Sequence, residues 1–133
     1  MPLVPGDSAM AGTSTGTHTT GAGVETGDAV MLSGGEMVPV DSDVGTLAGV
    51  ARDGGALGTR GAFVAAVAAG VTDGQRLAGG RDATGDEPAG PDERGLLVAD
   101  PDGPAFALCD EGGTWHGRDI PAGYAVVELC IGS

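Results

Sequence analysis

Short apolar runs set between glycine-rich turns predict a mostly β fold. We expect one small domain, barrel-like or sandwich-like, with a flexible N-terminal arm and long loops. Three observations predict it. The chain has 133 residues, the length of one domain. Its apolar share is 41%, enough for a core, and the runs are Val-, Ala- and Leu-rich. Its 27 glycines and 8 prolines fall between those runs, as turns fall between strands. Glycine and proline at this level are also found in disordered chains. Here their regular placement argues for strands, except at the N-terminus.

Residues 1–23 read as the arm. The stretch "GTSTGTHTTGAG" has no hydrophobic period, so it has little to bury alone. Threonine favours strands, so this segment can become one against a sheet edge. Residues 24–133 are expected to form the domain. Residues 28–32 form the first strand, "SGG" at 33–35 a tight turn, and 36–40 the returning strand. Glycine supplies the positive φ that such turns need, and Pro39 marks an edge or a strand end. After the acidic loop "DSDVG", residues 46–52 form a third strand. Gly49 within it signals a bulge or a close backbone approach.

"GAFVAAVAAGV" at 61–71 suits a helix by its alanines and a strand by Phe63, Val64 and Val67. Strand is preferred. "TDGQRL" reads as a turn and a short strand. Residues 79–95 form a polar surface insertion. Strands follow at 96–99 and 105–109, joined by the turn "DPDGP". "DEGGTWHGRDIPAG" reads as a long loop. The last strand, 124–131, places Val126, Glu128 and Cys130 on one face and Val127, Leu129 and Ile131 on the other.

The core material is thin. Phe63, Phe106, Trp115 and Tyr124 are the only aromatics. Burying a Val or Leu stabilises by roughly 1.5–3 kcal/mol, and an Ala by less. Oligomerisation is a common remedy for a core of this kind.

Formal net charge is −13, all six basic residues are arginines, and neither lysine nor asparagine occurs. Such a surface repels phosphate and argues against nucleic acid as a partner. It suits concentrated salt, where the Debye length falls to about 3 Å and self-repulsion is screened. The composition resembles that of proteins from extreme halophiles, especially haloarchaea and their viruses. An acidic protein from a GC-rich mesophile is the alternative. No signal-like segment opens the sequence, and no run has the length of a membrane span.

The candidate sites are few. A Walker loop needs a lysine, and there is none. "GTSTG" at 12–16 fits the spacing of a nucleophile elbow but lacks its strand–turn–helix setting. "DSD" at 41–43 and "DPDG" at 100–103 suggest calcium but lack the ligand series of a calcium loop. Turn aspartates bonding their own backbone explain them better. His18, His116, Cys109 and Cys130 show no zinc spacing, and no metal or cofactor is expected. The two cysteines are read as buried free thiols, with pairing possible if their strands adjoin. His116 is the one plausible general base and lacks a nucleophile partner, so no enzymatic activity is expected. Trp115 either caps the core or anchors an interface with His116 and Arg118, since Trp and Arg are enriched at hot spots.

One family shares the order of these features. "GDAVML" leads through a turn to "MVPV", then an acidic loop and "GTLAGVA", then "GAFVAAV" and "GVTDGQRL", and finally "IPAGYAVVELC". Across roughly residues 15–131 this resembles the head decoration, or capsid cement, proteins of lambda-like tailed viruses. The polar insertion and the extreme acidity depart from that pattern. The resemblance implies a β-tulip type domain, a homotrimer on the outer capsid surface, and the major capsid protein as partner. It implies no catalysis, no nucleic acid and no membrane. The arm would order by adding a strand to a capsid sheet edge, with Thr13, Thr15, Thr17, His18, Thr19 and Thr20 as contact candidates. A non-enzymatic ligand-binding or adhesive β-module of a halophile surface protein, with a concave site near Trp115, is the competing expectation.

Overall fold

A computed structural model describes residues 3–8, 13–15, 18–21, 23–40, 47–79 and 95–130. Twelve strands and one 3-10 turn account for its regular structure. The strands are β1 (Thr13–Thr15), β2 (Thr19–Thr20), β3 (Ala29–Ser33), β4 (Glu36–Pro39), β5 (Gly49–Ala51), β6 (Leu57–Ala66), β7 (Arg76–Gly79), β8 (Leu97–Ala99), β9 (Ala105–Ala107), β10 (Thr114–Trp115), β11 (Arg118–Asp119) and β12 (Tyr124–Cys130). Ten of them form one mixed sheet in the order β2-β4-β3-β5-β6-β12-β9-β7-β8, with β1 added to β6. Among the described strand pairs only β2–β4 is parallel, and an isolated parallel bridge joins Val67 to Leu97.

The fold is mostly β, as expected, but it is not a closed barrel. β2 and β8 end the sheet without meeting. The sheet curls until β8 reaches other elements through single contacts: Gly95 O accepts Ala29 N at 2.8 Å, and Leu97 O accepts Ala68 N at 2.9 Å.

β6 is the spine. β5 and β1 pair with its first half, and β12 pairs with residues 60–66. Opposite β12, Ser8 bridges Phe63, Gly6 N donates to Val64 O at 2.8 Å and Val64 N to Asp7 O at 2.9 Å. Region 61–71 is therefore strand to Ala66. The strand also begins earlier than its apolar pattern suggested, at Leu57. Gly58 serves packing there, because a Cβ would lie 2.9 Å from the Phe63 ring.

Alternation along β3 and β5 feeds two cores. Ala29, Met31 and Val50 join the main cluster around Phe63, Val64, Leu77, Leu97, Val126 and Val127. Val30, Met37, Ala51 and Leu57 form a smaller one on the other face. In β12, Val126 and Val127 are both fully buried while Glu128 is exposed. One end of β12 is thus covered on both faces, which simple alternation does not reveal.

The hairpin at residues 33–35 forms as expected. Ser33 pairs with Glu36, and Gly34 and Gly35 take φ of 59° and 83°, the mirror-image turn that suits strand twist. Gly49 marks a close approach, since a Cβ there would collide with the Gly58 carbonyl. The expected loop at 110–123 contains a second small sheet, β10 with β11. Of the polar insertion, Gly79 closes β7 and Gly95 caps β8. Residues 80–94 lie outside the described residues, as do residues 41–46.

The N-terminal segment differs most from expectation. Its described residues run along the domain, so for them the picture of a free arm gives way to pairing within the chain. Leu3 is 1% exposed and its N donates to Asp119 O at 2.9 Å. β1 pairs with residues 57–60 of β6, and β2 with Glu36 and Met37 of β4. The uncovered edges of β6 and β4 supply partners that sequence periodicity cannot show. Leu3→Ala is expected to cost about 2–5 kcal/mol in chemical denaturation. A segment that floats free would leave the midpoint unchanged.

Candidate functional site

Two surfaces gather the residues singled out in the sequence. The first is the outer edge at β2. His18 N donates to Gly55 O at 2.9 Å, Thr19 and Thr20 are exposed, and Gly21 N donates to Met37 O at 2.7 Å. Thr13 and Thr15 lie in β1, opposite Arg60 and Leu57. Thr17 lies outside the described residues. Among the described residues, nothing pairs with the outer side of β2. This edge belongs to residues 8–24, the longest stretch without Asp, Glu or Arg. That absence of charge was visible in the sequence, but its position on an edge was not.

The second surface is the β10–β11 hairpin. Trp115 pairs with Arg118, so the two share a face. Trp115 packs against the main core, which supports its capping role. The His116 ring stands edge-on to it, with centroids 4.5 Å apart and planes at 86°. His116 and Gly117 form the turn with φ of 48° and 78°. His116 is the one non-glycine residue at positive φ among those described, a region that histidine tolerates better than most residues. Arg118 is exposed and keeps a partner within its own chain.

A cavity of about 350 Å³ opens at the base of this hairpin, lined by Asp73, Leu108, Cys109, Asp110, Gly113 and Thr114. Asp73 N donates to Asp110 Oδ1 at 2.9 Å. Burial pushes the Cys109 thiol up. The Val126 N–H donating to Sγ acts the other way, and Asp110 and Asp73 add to the rise. The group therefore stays a thiol at neutral pH and is a poor nucleophile. Cys109 is free. It abuts Val126, whereas Cys130 sits four residues further along β12, opposite Arg60. At about 3.3 Å per residue that separation exceeds disulfide reach.

Two further motifs resolve as a turn and a strand, while "DSD" at 41–43 lies outside the described residues. Ser14 of "GTSTG" lies in β1 opposite Gly58, and no α-helix follows it among the described residues. In "DPDG", Asp102 N donates to Asp100 Oδ1 at 2.9 Å and Gly103 N to Asp100 O at 3.0 Å, which is an aspartate folding its own turn. Among the described residues no three His, Cys, Asp or Glu side chains gather as metal ligands, and no helix is long and apolar enough to cross a membrane.

One acidic group missed in the sequence is Asp28. Its neighbourhood joins three strands: Gly27 O accepts Ala66 N, Asp28 O accepts Ala51 N, and Ala29 N donates to Gly95 O. Burial raises the Asp28 carboxyl above the ordinary carboxylate range. The Glu25 N–H on Oδ2 opposes this, and the Glu25 charge adds to it. Tyr124 is raised as well, by burial and then by Asp28 and Glu25.

No family profile, no curated protein and no solved structure matches this chain.

A raised native pKa means that the folded state holds the Asp28 proton more tightly than the unfolded state does. Its contribution is complete below the unfolded pKa and is lost as pH rises through the native one. Asp28→Asn keeps an oxygen for the Glu25 N–H. At pH 7 it is expected to raise Tm by roughly 2–3 °C, a small shift because the group is partly solvent-screened. At pH 3 it should leave Tm unchanged. Thermal melts across that range check both values.

Proposed function

We propose that this chain is a capsid decoration protein of a lambda-like tailed virus whose host lives in concentrated salt. It would bind the outer surface of the icosahedral head as a homotrimer and strengthen contacts between major capsid proteins. A β-tulip type fold belongs to the same proposal. The observation that carries it is the β2 edge strand: exposed, made of threonines and itself uncharged on a chain of net charge −13.

Acidic proteins that must meet in an assembly need a place where approach is not opposed by like charge. Natural sheets usually blunt their edges with charged residues or proline. This edge carries neither at Thr19 and Thr20. Its strand is held by only two residue pairs, so adding or exchanging a strand there disturbs few internal bonds. A strand-competent segment at this edge supports the reading of residues 19–20 as part of a capsid-binding arm. The thin, Ala- and Val-rich core is consistent with a domain that gains stability from its neighbours.

The test uses undecorated shells of a major capsid protein from a salt-adapted tailed virus, mixed with the protein in concentrated salt and sedimented. The wild type should pellet with the shells. Thr19→Lys with Thr20→Lys, both at exposed positions, should keep Tm within about 2 °C and weaken binding at least about tenfold. Equal binding by the double variant would overturn the edge mechanism. A wild type that stays in the supernatant, or a monomer by light scattering, would overturn the decoration trimer.

A further inference from the structure

A further cavity lies on neither surface above. It measures about 420 Å³ and sits between three separate segments. Val4 and Asp7 come from the N-terminus, Thr26 from the turn before β3, and Arg52, Asp53 and Ala56 from the β5–β6 connection. We propose that this cavity binds a small zwitterion: an α-amino acid, or another molecule with ammonium and carboxylate groups at similar spacing.

The charges on its wall argue for this. One arginine and two aspartates line a single space. A simple anion drawn to Arg52 also meets Asp7 and Asp53. A simple cation drawn to the aspartates meets Arg52. A molecule carrying both charges a few ångströms apart satisfies each without opposing the other. Selectivity then comes from repulsion as much as from attraction.

Arg52 is held in place beforehand. Its Nε donates to Gly6 O at 3.1 Å, and its guanidinium carbon lies 5.3 Å from the Phe63 ring centroid. Fixing Nε and stacking the plane orients the group at little further entropic cost. Arg52 has a further partner within the chain, and a guanidinium has several donors to share, in the fork geometry that suits a carboxylate. Asp7 is fixed too, its Oδ2 accepting Val4 N at 3.1 Å. Val4, 52% exposed, and Ala56 offer apolar wall for a small side chain. Gly6 shapes the cavity: at φ of 82°, a Cβ would collide with Thr26 and the Ala51 carbonyl.

A bound zwitterion would bridge the N-terminal segment to the β5–β6 connection. It would therefore stabilise the docking of residues 3–8 along β6 by linkage. This role is independent of capsid binding.

The experiment is a titration of the full chain by amide NMR at several salt concentrations. The probes are L-valine and glycine, with acetate and ethylammonium as single-charge halves. The amino acids should give saturable shifts at Gly6, Thr26 and Ala56 with a dissociation constant near ~1 mM. Each half should bind at least about tenfold more weakly. Arg52→Gln should weaken binding by a similar factor. Because Arg52 also covers Phe63, a second variant guards against misfolding. Ala56 has extended geometry (φ −73°, ψ 150°) open to any residue, so Ala56→Phe should fill the space, keep the fold and abolish the shifts. Amino acids without saturable shifts, halves that bind as well as the whole, or Ala56→Phe binding like wild type would each overturn the proposal.

Discussion

A strand that must find backbone partners along both edges is the constraint on which this fold depends. β6 runs through the middle of the sheet, and its ladder bonds are buried. Unpaired N–H and C=O groups there would cost about 1–3 kcal/mol each. β12 covers one edge over seven residue pairs. The other edge is covered by Ser8 and by the flanking Gly6 and Asp7, then by β1. The N-terminal segment is thereby drawn into the domain. Phe63 enforces the same arrangement from the side-chain level. It is fully buried, its ring leaves room only for glycine at position 58, and Arg52 lies over it.

The acidic composition shapes how the few cations are used. Arg52 and Arg76 lie against aromatic rings, Arg76 at 4.7 Å from the Phe106 centroid. Each also donates to a glycine carbonyl, Arg52 to Gly6 and Arg76 to Gly103 at 3.0 Å. Both therefore tie chain segments together through contacts that salt screens less than it screens exposed ion pairs. In a chain with many acidic groups and little aromatic surface, these contacts cover two of the four aromatic rings. The β2 strand is the counterpart: Thr19 and Thr20 themselves carry no charge, although the exposed Glu36 of β4 lies beside Thr19.

The elements that were legible in the sequence are those set by local chemistry. Gly34 and Gly35 fixed the β3–β4 hairpin through positive φ, and Pro39 ended β4. Asp100 folded the β8–β9 turn with its own side chain. The run from Tyr124 announced β12. Less legible were elements whose reason lies far away in the chain. Gly58 is a packing residue that local sequence gave no reason to single out. Trp115 and Arg118 looked like parts of a loop and form a two-strand hairpin too short for a periodic signal. Asp28 looked like the first residue of a strand and lies at a junction of β3, β5 and β6.

The sequence alone determined the β class, the main turns, the acidic composition and the thin core, because these follow from composition and from contacts within a few residues. Tertiary structure alone decided that the sheet stays open, that residues 3–8, 13–15 and 19–20 line β6 and β4, and that Arg52 meets Asp7 and Thr26 around one cavity. Those outcomes depend on pairing between segments tens of residues apart. Many registers would satisfy the local preferences of such segments, and only burial and complete backbone hydrogen bonding in the folded chain select one.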